Sequence, residues 1–310
     1  MSGDAKILDQ PIARSRWRAL DYIELMKPEL TFLSVLSALC GFYMGTRGSF
    51  GGMSFLHTAI GTMLLGGGAG ALNQHIERRY DALMKRTERR PLPAGRLVPA
   101  EALAFGLVCS LAGIIELTLF TNALTGFLGA LTFMTYIFLY TPLKRITPWA
   151  TIVGGIPGAL PPVMGWTAAR NELSAEPWIL FSILFCWQIP HFLSLAWMYR
   201  KDYARAGFKI LTVMDHDARQ TSAQIILFTV TLLPASVMTT VIGSTGILYA
   251  ILAIVFGAIF LAYGIILRHF TMHGDPVAST QKVNLYARRL FYASLLYLPL
   301  LMIVMSIDKA

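Results

Sequence analysis

Residues 55–97 read FLHTAIGTMLLGGGAGALNQHIERRYDALMKRTERRPLPAGRL. From 55 to 75 there is no Asp, Glu, Lys or Arg, and from 76 onward charged residues crowd the chain. A helix that crosses the hydrocarbon core of a bilayer needs about 20 mostly apolar residues, and residues 55–75 meet that need. The charged run that follows is the interfacial end of the span and the link beyond it. This one stretch therefore predicts a membrane helix that delivers polar chemistry to a membrane surface.

The rest of the chain repeats the apolar pattern. Of 310 residues, 55% are hydrophobic and 14% are charged, against about 25% charged in an ordinary soluble domain. Mean hydropathy is +0.57. About nine stretches qualify as spans: 30–45, 55–75, 100–120, 123–140, 149–168, 177–199, 222–242, 246–267 and 290–307. The links are too short for a separate soluble domain, so residues 1–310 are expected to be one all-α membrane domain around a central cavity. A polar tail (1–28) precedes the first span, and the links 76–99 and 200–221 stand out as polar. The tail lacks a signal-type apolar run, so the first span is an anchor. Cys40, Cys109 and Cys186 all fall inside predicted spans and read as small core residues.

Lys and Arg fall on alternate links, with 23 of 26 on one side and only Arg47, Arg170 and Lys309 on the other. The positive-inside rule then puts the N-terminus in the cytoplasm and the C-terminus outside. The same rule explains the net charge of +9 without nucleic acid.

Within the opening stretch, Asn73, Glu77 and Asp81 stand at i, i+4 and i+8, on one helical face and within about 12 Å of helix. Lys85 continues that spacing. Two carboxylates and an amide aligned at a membrane boundary are costly unless a cation lies between them, and such oxygen ligands suit Mg²⁺ shared with a phosphate group. Arg86 and Arg90, with Arg89 and Arg96, supply guanidinium forks that match phosphate oxygens. An acidic metal-binding face beside an arginine-rich turn is what a diphosphate ester requires.

These residues carry a family resemblance. Asn73-x3-Glu77-x3-Asp81, followed by Arg86-Thr87-x2-Arg90-Pro91, resembles the first signature of the UbiA-type intramembrane prenyltransferases, with Glu77 where that family has aspartate. Met84-Lys85-Arg86-Thr87 and the Glu77-Arg78 pair are similar to the branch that farnesylates protohaem IX (haem b) to make haem O. The family's second Asp-x3-Asp motif is replaced in the link MYRKDYARAGFKILTV (198–213) by Tyr199 and Tyr203, with Asp202 beside them, a form known in that branch. The resemblance implies that Asn73, Glu77 and Asp81 hold Mg²⁺. It also implies that Lys85 and Asp202 join them in catalysis, and that Arg86, Arg90, Lys201 and Arg205 bind the diphosphate. Implied substrates are farnesyl diphosphate and haem b, with a downstream haem A synthase or oxidase assembly factors as partners besides the lipid bilayer.

A haem acceptor would need a wide pocket and an axial ligand. His191, in the middle of the sixth span, and His75, inside the first motif, are the candidates. The fifth span, Gly154-Gly155-Ile156-Pro157-Gly158-Ala159-Leu160-Pro161-Pro162, is rich in helix breakers. It reads either as a cavity wall or as a site of close helix packing. A quinone-precursor or chlorophyllide prenyltransferase would be expected to keep the second Asp-x3-Asp. A transporter would be expected to place charges deep in several spans and to break helices at matching positions. A tail that contains Asp4 and Asp9 and is not Ser-rich favours a bacterial inner membrane over the mitochondrial one.

Overall fold

The computed structural model describes residues 18–273 and 276–310. The tail before Arg18, with Lys6, Arg14 and Arg16 among the positive charges counted above, lies outside the described residues. The helices in chain order are α1 (Arg18–Leu25), α2 (Pro28–Gly45), α3 (Gly52–Asp81), α4 (Pro99–Phe120) and α5 (Ala123–Met134). A π-helical turn (Thr135–Tyr140) leads into α6 (Thr141–Leu143). Then come α7 (Ala150–Ala159), α8 (Pro161–Arg170), α9 (Ala175–Met198), α10 (Arg200–Arg205) and α11 (Leu211–Met214), and finally α12 (Arg219–Val241), α13 (Ile247–Met272) and α14 (Pro276–Ile307).

Among the described residues, eight helices are long and apolar enough to cross a bilayer: α2, α3, α4, α5 with its continuation to Leu143, α9, α12, α13 and α14. The remaining expected span, 149–168, is split into α7 and α8, ten residues each. The break falls at Leu160, ahead of Pro161-Pro162, whose missing N–H groups cannot continue the ladder. Pro190, Pro234 and Pro299 lie inside α9, α12 and α14 without ending them, so the break is particular to this element.

Leu119, Val241, Ile247 and Ile307 are each at least 70% exposed. A belt of large apolar side chains on the outside is untenable in water and natural in lipid. The interior is held by close backbone approach. A Cβ on Gly165 of α8 would lie 1.7 Å from the Ala38 carbonyl oxygen of α2, and one on Gly41 would lie 2.0 Å from that of Pro162. Only glycine lets these helices touch, as is common where packing rather than the hydrophobic effect joins helices. Between α3 and α4, half-buried His57 and Glu116 meet at 2.7 Å.

Two boundaries differ from the sequence-based expectation, and one of them matters for function. Helix α3 does not stop at His75 but runs to Asp81, because no residue from 76 to 81 is a helix breaker. Gln74 also anchors it, donating to the Glu24 and Leu25 carbonyls at 3.0 and 3.2 Å. The acidic ladder is therefore fully helical. Likewise α14 begins at Pro276 rather than near residue 290.

Candidate active site

Asn73, Glu77 and Asp81 occupy the last two and a half turns of α3, and all three are buried. They line one side of a cavity of about 330 Å³. Their charges are answered from three other parts of the chain. Arg90 donates from Nη1 to Asp81 Oδ2 at 2.8 Å, and Lys144, just past α6, pairs with Glu77. Lys27, just before α2, donates from Nζ to Asn73 Oδ1 at 2.5 Å. The amide of Asn73 in turn donates to Thr141 Oγ1 at 3.0 Å. The turn after α3 is fixed by Thr87, whose hydroxyl donates to the Asp81 carbonyl at 2.8 Å.

Neither Lys27 nor Lys144 is among the site residues expected from the sequence. Each sits in a short link that carries little other signal, and only folding brings them to the ladder. Lys27 has one mark of its own: φ is +50°, a left-handed backbone that a lysine adopts only when its surroundings require it. Burial, aided by the nearby Arg90 cation, pulls its ammonium down to about 7. Lys144 is also buried, which pulls its ammonium down, but the Glu77 carboxylate and the phenols of Tyr140 and Tyr136 outweigh that and hold it above the ordinary lysine value. The π-helical turn that carries Tyr136 and Tyr140 also has a local cause. Pro142 has no N–H to give to the preceding turn, and Thr141 N–H reaches back five residues to the Tyr136 carbonyl. Both phenols line the cavity as a result.

The two polar links meet across the cavity mouth. Met84, Ala206 and Phe208 form an apolar cluster between them, with Tyr80 and Tyr203 against it. Arg86 donates to the Tyr203 hydroxyl at 2.9 Å and lies over the Tyr199 and Tyr203 rings at 4.9 and 5.6 Å. The Arg86 N–H donates to Asp202 Oδ2 at 3.4 Å, and Arg205 pairs with Asp202 Oδ1 at 3.4 Å. The tyrosines that stand at the expected aspartate positions thus seat the Arg86 guanidinium. Asp202 and Arg205 brace that seat and are not among the cavity-lining residues.

Three expected residues lie elsewhere. Lys85 does not extend the acidic ladder: α3 ends at Asp81, and Lys85 is exposed on the turn beyond. Lys201 is exposed on α10 and does not line the cavity. His75 is two positions from Asn73, about 200° round the helix, and its Nδ1 lies 2.9 Å from the Pro99 carbonyl oxygen, away from the cavity. His191 does face inward and lines the cavity beside Trp187, Gln188 and Phe192. The fifth span serves both purposes proposed for it. Gly154, Pro157, Gly158 and Pro161 line the cavity, while Pro162 packs on Gly41.

The donor set fits a divalent ion shared with a ligand. Asp81 Oδ1 is buried and has no hydrogen-bond partner among the described residues, an open carboxylate oxygen beside Glu77 and Asn73. No three His, Cys, Asp or Glu side chains gather into a self-sufficient metal site among the described residues. Mg²⁺ that keeps waters and is completed by phosphate oxygens needs no more than one or two carboxylates.

Known proteins resemble this chain over nearly its whole length. The profile of the UbiA prenyltransferase family matches residues 34–286. The chain belongs to the UbiA prenyltransferase family. Among its UbiA relatives, the chain is 44% identical over 298 residues to a protoheme IX farnesyltransferase of Solibacter usitatus, covering 93% of this chain and 98% of that one. It is 45% identical over 290 residues, with the same coverage, to the protoheme IX farnesyltransferase of Salinibacter ruber. The fold is shared with solved UbiA structures. A homologue from Archaeoglobus fulgidus bound to DMAPP and Mg²⁺ superposes with a TM-score of 0.68 at 13% identity, over 90% of this chain and 99% of that one. A digeranylgeranylglyceryl phosphate synthase gives 0.72 at 15%, over 93% and 99%.

Proposed function

We propose that this UbiA-family prenyltransferase moves a farnesyl group from farnesyl diphosphate to a vinyl group of haem b, making haem O. The observation that carries the reading is the two-part cavity. At its mouth, acidic Glu77 and Asp81 with Asn73 face the cations Lys27, Arg86, Arg90 and Lys144; deeper in, it is lined by apolar side chains such as Leu65, Phe133, Leu184 and Leu298. A prenyl diphosphate has the same two parts. The choice of farnesyl and haem follows the names borne by the relatives that share more than two fifths of its residues.

In this reading the anionic head of the substrate rests at the mouth, taking hydrogen bonds from Arg86 and Arg90 and charge from Lys27 and Lys144. Mg²⁺ held by Asn73, Glu77 and Asp81 would neutralise negative charge on the diphosphate as it leaves. The isoprenoid lies in the apolar depth, where bulk water is excluded from the reacting carbon. The allylic carbon–oxygen bond breaks with its electron pair leaving on the diphosphate. The vinyl π electrons form the new carbon–carbon bond, and a water adds to the resulting cation and loses a proton. These cations are preorganised, so they stabilise the leaving charge without reorganising at the moment of reaction.

The asymmetry of positive charge supports placing the site at the cytoplasmic face, with the N-terminus on that side, in a bacterial inner membrane. The product would pass to a haem A synthase or oxidase assembly factors. The test is to incubate purified protein with haem b, farnesyl diphosphate and Mg²⁺ and look for haem O by mass. Turnover of a phenolic acceptor with no haem O would move the assignment to another branch of the family.

A further inference from the structure

His191 is 7% exposed and lies seven residues before the end of α9 at Met198, about 10 Å of helix. Its ring is clamped between Trp187 and Phe291, with centroids 5.0 Å away on each side and interplanar angles of 19° and 28°. Nδ1 lies 2.7 Å from Ser294 Oγ. That hydroxyl donates its own proton to the Phe291 carbonyl at 2.6 Å. A serine has a single proton to give, so toward the histidine it can only accept. In that arrangement Nδ1 carries the hydrogen, and the neutral ring holds its lone pair on Nε2.

The contact with Ser294 is the ring's one hydrogen bond among the described residues. Nε2 has no hydrogen-bond partner among the described residues and is not one of the walled-in polar atoms, so it stays open on the cavity side. Here one nitrogen is spent on fixing the tautomer, and the residue borders the cavity. The support is itself rigid. Ser294 is fully buried, and the Trp187 indole N–H donates to the Ser294 carbonyl at 2.9 Å. An imidazole whose far N–H is held by a fixed acceptor, with its other nitrogen open, is the arrangement of a metal-ligating histidine.

We propose that His191 Nε2 is the axial ligand to the iron of the haem substrate, and that Ser294 is the positioning residue that holds its tautomer. The ligand would set the depth of the porphyrin in the cavity, beneath the diphosphate-binding mouth. The assignment rests on haem b being the acceptor.

The experiment titrates purified full-length protein in detergent with haem b and reads the Soret and visible bands, with electron paramagnetic resonance of the ferric form. Wild type should show nitrogen-ligated haem. In His191→Ala that signature should vanish and haem affinity should fall about tenfold or more, and added imidazole should restore the wild-type spectrum. Ser294→Ala keeps the imidazole but frees its orientation, and should weaken haem binding by about tenfold. Unchanged farnesyl diphosphate binding and elution volume show that each variant is folded. Should His191→Ala fail to fold, Ser294→Ala decides, and wild-type haem affinity in it overturns the proposal. An unchanged haem spectrum in folded His191→Ala also overturns it. If wild type still makes haem O in that case, only the ligand assignment falls. If wild type makes none, the acceptor itself is wrong and the ligand assignment falls with it.

Discussion

Replacing Asp81 by asparagine separates catalysis from stability. The side chain is 1% exposed and its Oδ2 accepts from Arg90 at 2.8 Å, while Arg90 retains 23% exposure. An asparagine oxygen can still accept from Arg90, so the substitution exchanges an ion pair for a hydrogen bond from the still-cationic guanidinium to a neutral amide, a loss of about 1 kcal/mol. In contrast, Asp81 Oδ1 has no partner among the described residues, and removing its charge disables the metal-facing side of the ladder. Loss of one preorganised electrostatic group typically lowers kcat by about 10²–10³-fold, or about 3 kcal/mol. The expected result is a protein that purifies normally, melts a few degrees lower in detergent, and makes product at least about a hundredfold more slowly at saturating Mg²⁺. The assay is initial-rate product formation beside a thermal melt on the same preparation. Activity within about threefold of wild type would refute the role of the carboxylate. A collapse of both activity and folding would show instead that Asp81 is chiefly structural.

Arg86→Ala removes the donor to Tyr203 and the cation over both tyrosine rings. It should raise KM for the prenyl diphosphate about tenfold with a normal melt, as measured by steady-state kinetics. Lys85 is exposed beyond the end of α3, so Lys85→Ala should retain near-wild-type rates in the same assay. In Gly165→Ala the new Cβ would fall 1.7 Å from the Ala38 carbonyl oxygen, and α2 and α8 must separate. A loss of about 1–3 kcal/mol should appear as a lower melting temperature.

What could be read from the sequence was local. The acidic ladder was legible because helical periodicity alone puts Asn73, Glu77 and Asp81 on one face, and the apolar runs marked the spans to within a few residues for most helices. The same periodicity counts against His75, which lies about 200° round the helix from Asn73. Lys85 falls off the ladder because spacing shows direction but not where a helix stops. The stop comes from the Thr87 hydroxyl on the Asp81 carbonyl and from Met84 burying itself against Ala206 and Phe208, a contact more than a hundred residues away in the chain. Lys27 and Lys144 were missed for a related reason, since only tertiary structure carries them to the ladder. Asp202 was assigned to the pocket on sequence grounds, but the fold uses it to brace Arg86 from behind. That distinction depends on which side of α10 faces the mouth.

The most direct measurement concerns the carboxylate ladder and its ligand. Farnesyl S-thiolodiphosphate, which ionises too slowly to turn over, can be titrated calorimetrically into wild type and Asp81→Asn with Mg²⁺ and with EDTA. If Asn73, Glu77 and Asp81 hold a divalent ion against the diphosphate, wild type should bind at least about tenfold more tightly with Mg²⁺ than with EDTA, and Asp81→Asn should lose most of that difference. Equal wild-type affinity in Mg²⁺ and EDTA would contradict it.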